Sequence, residues 1–187
     1  MSATKIMIIR HAEKPGEAGA PFGIDAEGNR DAEELTVRGW QRAGALVRFF
    51  SPVAGQFSDQ RLAKPNKIFA SGVGRHSKSK RPSHTVTPLA AFLGQTVDLG
   101  HVKGEEDSVV QAAIAASGAV LICWEHEAIP ALANKIIGTA ANSPQQWPGD
   151  RFDIVWVLYR PAGASWSFHQ VPQLLLSGDS LTVISSS

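Results

Sequence analysis

Arg10 and His11 stand directly behind the apolar run Ile6-Met7-Ile8-Ile9, so a strand-forming segment delivers a cation and an imidazole to its carboxyl end. A second imidazole, His126, lies between Glu125 and Glu127 just after another apolar run, residues 119–124 (AVLICW). Between these two places, residues 72–85 form the most basic segment of the chain, with Arg75, Lys78, Lys80 and Arg81 among small polar residues. Arginine offers a planar fork of donors that matches a tetrahedral oxyanion, and imidazole serves as nucleophile, hydrogen-bond donor or acid near neutral pH. If the strands carrying these groups are neighbours, two imidazoles and at least one guanidinium meet in one crevice, and the simplest ligand for it is a phosphate.

The elements that must position these groups follow from periodicity and from turn chemistry. Residues 16–31 are rich in glycine and alanine and contain Pro21, which predicts a long loop in position to cover the site as a lid. Residues 35–50 predict a helix capped by Thr36, with Trp40, Ala43, Val47 and Phe50 at three- and four-residue spacing and Arg38, Gln41, Arg42 and Arg48 turned toward solvent. Residues 67–70 predict a short strand, Pro82 opens a helix running to Gly94 that must accommodate Pro88, and residues 96–99 predict an edge strand. Gly104-Glu105-Glu106-Asp107 places acidic groups at a helix start. The run at 119–124 reads as a strand covered on both faces, and the helix after it ends at Gly138. Residues 152–159 and 165–171 predict a hairpin, and the tail 174–187, which finishes in serines, is expected to be loose at its end. Strands alternating with helices give an α/β fold, a three-layer α/β/α sandwich with a mostly parallel central sheet and an antiparallel edge.

Composition bounds the function. The chain has 187 residues, 18 Lys plus Arg against 17 Asp plus Glu, and one cysteine. That length fits a single domain, 1–187. Near-neutral charge predicts no nucleic acid and no anionic membrane as partner, so anion recognition must be local. The basic segment lacks aromatics on which bases would stack. Cys123 sits in an apolar run and reads as a small buried thiol, and one cysteine excludes an internal disulfide framework or a multi-cysteine zinc site. No stretch approaches the roughly 20 apolar residues of a membrane span, and the N-terminal apolar run is too short for a signal sequence; the expected location is the cytoplasm.

These residues carry a resemblance to a known family. Arg10-His11-Ala12-Glu13-Lys14-Pro15 resembles the Arg-His-Gly signature of the histidine phosphatase superfamily, the phosphoglycerate mutase-like fold, with Ala12 in the usual glycine's place. Leu35-Thr36, Gly39 and Ala43 look like that family's first helix, and Arg81, Thr85 and Leu89-Ala90 are similar to its Arg-Ala-x-x-Thr-Ala helix start. His126 matches its second histidine. The resemblance implies a small bacterial-type phosphatase. His11 would be the nucleophile that becomes a phosphohistidine, Arg10 and Arg81 would clamp the nonbridging oxygens, and His126 would donate a further bond. The arrangement requires no metal and no cofactor. The family's serine-to-arginine spacing reaches Arg75 from Ser71, whereas the downstream match reaches Arg81, with Ser77 taking the serine's place; the register of Thr85 and Leu89-Ala90 favours Arg81.

The leaving oxygen also needs a proton donor. The resemblance offers Glu127, as in the acid-phosphatase branch, or Glu105 or Glu106, as in the mutase branch, and Glu13 lies close in sequence; Glu127 is preferred. The expected activity is hydrolysis of a phosphomonoester, with a small phosphorylated substrate or a phosphoprotein as partner. The alternatives are a phosphoglycerate mutase-like phosphoryl transferase and a non-catalytic phospho-ligand binding module.

Overall fold

The computed structural model describes residues 4–138 and 143–185; the loose chain end expected at 186–187 lies outside them. Among these residues, five strands form one sheet: β1 (Thr4–Arg10), β2 (Lys67–Ala70), β3 (Gly118–Trp124), β4 (Ile154–Arg160) and β5 (Ser167–Pro172). Their order is β2-β3-β1-β4-β5. The pairs β2–β3 and β3–β1 are parallel, while β1–β4 and β4–β5 are antiparallel, so β4 alone runs against the other four. The central strand β1 pairs Arg10 with Trp124 in register, and the Ile6 to Ile9 run is wholly buried.

Among the described residues, four helices cover the sheet: α1 (Val37–Phe50), α2 (Arg81–Leu93), α3 (Glu106–Ala115) and α4 (Ile129–Ile137). Period-two alternation sorts the strands between two cores. Ile6, Ile8, Val120, Ile122 and Trp124 pack with Val109 of α3 and Leu132 of α4. Met7, Ile9, Leu121 and Cys123 face Leu46 and Phe50 of α1 and Leu89 of α2. This is the three-layer α/β/α sandwich that the sequence predicts.

Local chemistry explains the boundaries. Thr36 caps α1, its hydroxyl accepting from the Gly39 amide at 3.2 Å, and Gly94 and Gly138 close α2 and α4 in left-handed conformations. Pro88 is contained within α2 without ending it. Two expectations need correction. The edge strand at 96–99 shrinks to a single bridge between Phe69 and Asp98, because Asp98 turns its carboxylate back onto the Gly100 amide at 3.1 Å and interrupts the pairing, which returns only as an isolated bridge between Gly72 and Val102. Arg42 does not face solvent: it is 2% exposed, since the carboxylates of Glu13 and Asp179 meet it there.

Candidate active site

The carboxyl ends of β1 and β3 bring Arg10, His11, Glu125 and His126 to one edge of the sheet, as expected where parallel strands end. The ladder runs one residue past β1, with the His11 amide donating to the Trp124 carbonyl at 3.1 Å. The next amide, of Ala12, donates to Thr85 Oγ1 at 2.8 Å, and that hydroxyl donates to the Arg81 carbonyl at 2.7 Å. One hydroxyl thus ties the backbone behind the histidine to the first turn of α2, where Arg81 begins. On the other side, α1 approaches closely: a Cβ on Gly39 would lie 2.6 Å from the Glu13 carbonyl, so only glycine fits there.

His11 is 4% exposed. Its Nδ1 lies 2.7 Å from the Ala12 carbonyl; a carbonyl only accepts, so Nδ1 carries the proton and the Nε2 lone pair is left free. Burial, with the positive charge of Arg10 and Arg81, pushes the imidazole pKa down to about 3. The ring is therefore neutral at physiological pH, which is the form able to attack.

Arg10 is 1% exposed. Its Nη1 faces the carbonyls of Pro148, Gly149 and Arg151 at 3.3, 2.7 and 3.1 Å, and its guanidinium carbon lies 3.8 Å from the centre of the Phe152 ring. The 148–152 segment therefore aims this arginine and also flanks His11, whose ring centre is 6.2 Å from that of Phe152. Burial lowers the Arg10 pKa to about 10, and Asp150 and Glu13 oppose that shift; the group remains a cation. Arg81 donates from Nη1 to the Ala32 carbonyl at 2.7 Å, and its Nη2 lies 3.8 Å from Glu33. What remains is informative: Arg10 Nε and Nη2 and Arg81 Nε are buried without a hydrogen-bond partner. Each such donor costs about 1–3 kcal/mol when left without an acceptor.

His126 is half-buried beyond β3, and burial and Arg10 lower its pKa. Arg75, the rival to Arg81, is exposed on the 72–80 loop. Ser77 shapes that loop, its carbonyl accepting from Gly74 and its hydroxyl from Ser79, while Ser71 is buried and donates to Glu125 Oε1 at 3.1 Å.

The carboxylates differ in their engagements. The Glu127 side chain is 62% exposed and held by Lys103 at 2.6 Å, and that partner keeps its pKa below the ordinary carboxylate value. Glu13 is clamped by Arg42 at 2.8 Å and by Arg38 at 3.2 Å. Glu105 accepts from the Val102 amide, and Glu106 from the Gly104 amide and Trp124 Nε1. Sequence reasoning assigned no role to Glu125, although its step of two from Leu121 and Cys123 would have placed it on the α2 face.

The loop at 16–31 is folded onto the start of α1 through a Gly23–Thr36 bridge. With α1 and Phe152 it borders an open cleft of about 620 Å³, lined by Pro21, Phe22, Ile24, Val37, Arg38 and Phe152. No helix among the described residues is long and apolar enough to cross a membrane.

No protein-family model and no curated protein matches the sequence. Solved structures do match in fold. A phosphoglycerate mutase from Plasmodium falciparum superposes with a TM-score of 0.54 at 10% identity, over 98% of this chain and 100% of that one. The protein histidine phosphatase SixA complexed with tungstate gives 0.54 at 12% identity, over 90% and 97%. A mycobacterial glucosyl-3-phosphoglycerate phosphatase gives 0.50 at 14% identity, over 89% and 97%. A five-stranded sheet in the order found here, flanked by helices and superposable on these proteins over nearly its whole length, has the phosphoglycerate mutase-like fold.

Proposed function

We propose that the chain, as one domain spanning 1–187, is a histidine phosphatase that hydrolyses a phosphomonoester through a phosphohistidine on His11. The observation that carries this reading is the set of three buried, unpartnered guanidinium nitrogens on Arg10 and Arg81, beside an imidazole whose Nε2 lone pair is free. Arg10 and Arg81 hold the nonbridging oxygens and offset the charge that accumulates on the transferring group. His11 Nε2 attacks phosphorus in line, and His126 supplies a further donor to the oxyanion. Water then cleaves the phosphorus–nitrogen bond and releases phosphate. That a structure of the same fold is a phosphatase complexed with tungstate, itself an oxyanion, supports the reading.

The organic part of the ester is assigned to the cleft beside Phe152, whose Pro21, Phe22, Ile24 and Val37 favour an apolar or aromatic group. The test is a panel of phosphomonoesters, including phosphoglycerates, assayed for released phosphate. Release from esters with an apolar body is the expected result. Isomerisation of a phosphoglycerate without release would make the protein a mutase, and tight phosphate binding without turnover would make it a binding module.

A further inference from the structure

We propose that Glu125, in its protonated form, is the acid that delivers a proton to the leaving oxygen, a role that rests on the phosphatase reading above. Glu125 is 7% exposed, its Oε1 is fixed by the Ser71 hydroxyl at 3.1 Å, and its Oε2 is buried with no hydrogen-bond partner. A carboxyl oxygen that is both buried and unpartnered is costly unless a ligand or a proton completes it.

Its position fits the chemistry. Glu125 directly follows β3 and immediately precedes His126, on the face shared by Leu121 and Cys123, toward the α2 start that carries Arg81. The Arg81 guanidinium and the Glu125 carboxyl act on each other electrostatically, and Arg81 also keeps an unpartnered donor. The other carboxylates considered for the task are occupied: Glu13 by Arg42 and Arg38, Glu105 and Glu106 by backbone amides, and Glu127 by Lys103 in solvent.

The charged and titratable groups around Glu125 are Lys103, Glu106, Arg81 and the buried Cys123. Burial is the largest influence and raises the Glu125 pKa, with Glu106 adding to the rise, while the residue's own backbone amide, the Ser71 hydroxyl and Lys103 oppose it. The acid form is therefore available at a pH where an exposed carboxylate has lost its proton, and unlike a carboxylate it does not repel a phosphate dianion.

The His11 Nε2–phosphorus bond forms as the ester phosphorus–oxygen bond breaks, and the departing oxygen takes the Glu125 proton and leaves as an alcohol. Glu125, now a carboxylate, accepts a proton from the water that attacks phosphorus. The phosphorus–nitrogen bond breaks, phosphate departs, and neutral His11 and protonated Glu125 return.

The experiment compares wild type and Glu125→Gln across substituted phenyl phosphates and one alkyl phosphate. The expected result is a loss in kcat/KM of about 10²–10⁴-fold for the alkyl ester and less than about 10-fold for p-nitrophenyl phosphate, whose leaving group departs without a proton. Phosphoenzyme formation from p-nitrophenyl phosphate should persist in the variant. Equal losses for both esters, or none for the alkyl ester, would overturn the proposal. Wild-type protein alone gives a second reading if the variant does not fold: an acid makes the rate nearly insensitive to leaving-group basicity, and a steep dependence in wild type would sink the idea. If wild type forms no phosphoenzyme and releases no phosphate from any ester, the phosphatase reading itself has failed, and this role with it.

Discussion

At the scale of single residues, the site works by removing water from charged and titratable groups. His11 is kept neutral by burial and by two arginines, and that state has a measurable signature in stability. The folded protein leaves His11 unprotonated down to about pH 3, whereas the same imidazole in the unfolded chain takes a proton near 6.5. In that window the unfolded state binds more protons. The His11 contribution is therefore intact above about pH 6.5 and is lost as pH falls toward 3, at up to about 1.4 kcal/mol per pH unit. Urea unfolding across this range should show a flatter acid limb for His11→Asn than for wild type; identical limbs would mean that His11 titrates normally in the fold. The two arginines are not replaceable by lysine, because the fork presents several donors at fixed angles. Arg81→Lys should lower kcat by about 10²–10³-fold in a phosphate-release assay, while Arg75→Lys, altering an exposed side chain, should leave it unchanged.

At the scale of elements, the site depends on a polar network that the sequence hides. Arg42 of α1 bridges Glu13 and Asp179 at 2.8 Å each and donates to Gln173 at 3.0 Å, with its side chain only 3% exposed. Glu13 follows β1, so this arginine fastens α1 and the chain's C-terminal segment to the loop that carries His11. Arg42→Ala would take the buried partner from both carboxylates and leave them only the more exposed Arg38 as a cation, which should cost about 3 kcal/mol, read as a lower urea midpoint; a shift within error would show the network to be incidental. Helix α1 was readable from Thr36 and from its apolar spacing, but the burial of Arg42 was not. Its partners lie 29 and 137 residues away in sequence, and no local pattern announces them. The same holds for Glu125: its strand face follows from alternation, whereas its hydroxyl partner Ser71 comes from a different strand end. The 96–99 edge strand failed for the opposite reason, because a side-chain turn at Asp98 outcompeted a weak strand signal.

At the scale of the whole molecule, the sheet order turns separate stretches of sequence into one pocket. Parallel pairing of β2, β3 and β1 was foreseeable from buried strands joined by helices, and it gathers the residues that follow each strand. The reversed β4 has a consequence that periodicity did not reveal: the 148–152 segment leading into it supplies the carbonyls and the ring that aim Arg10. If the unpartnered donors of Arg10 and Arg81 hold an anion as proposed, an oxyanion should bind the folded state selectively. Tungstate at about 100 times its dissociation constant should stabilise wild type by about 2.7 kcal/mol, seen as a rise in Tm, and the rise should vanish in an Arg10→Ala, Arg81→Ala double variant. An equal rise in both proteins would place the anion elsewhere.

The central claim is that His11 accepts the phosphoryl group. It is tested most directly by mixing the protein with p-nitrophenyl phosphate labelled on phosphorus, quenching in alkali during turnover, and mapping the label to a peptide. The account predicts an acid-labile, alkali-stable label on the peptide containing His11, absent from His11→Asn. Steady phosphate release with no trapped label, or a label that persists in His11→Asn, would contradict it.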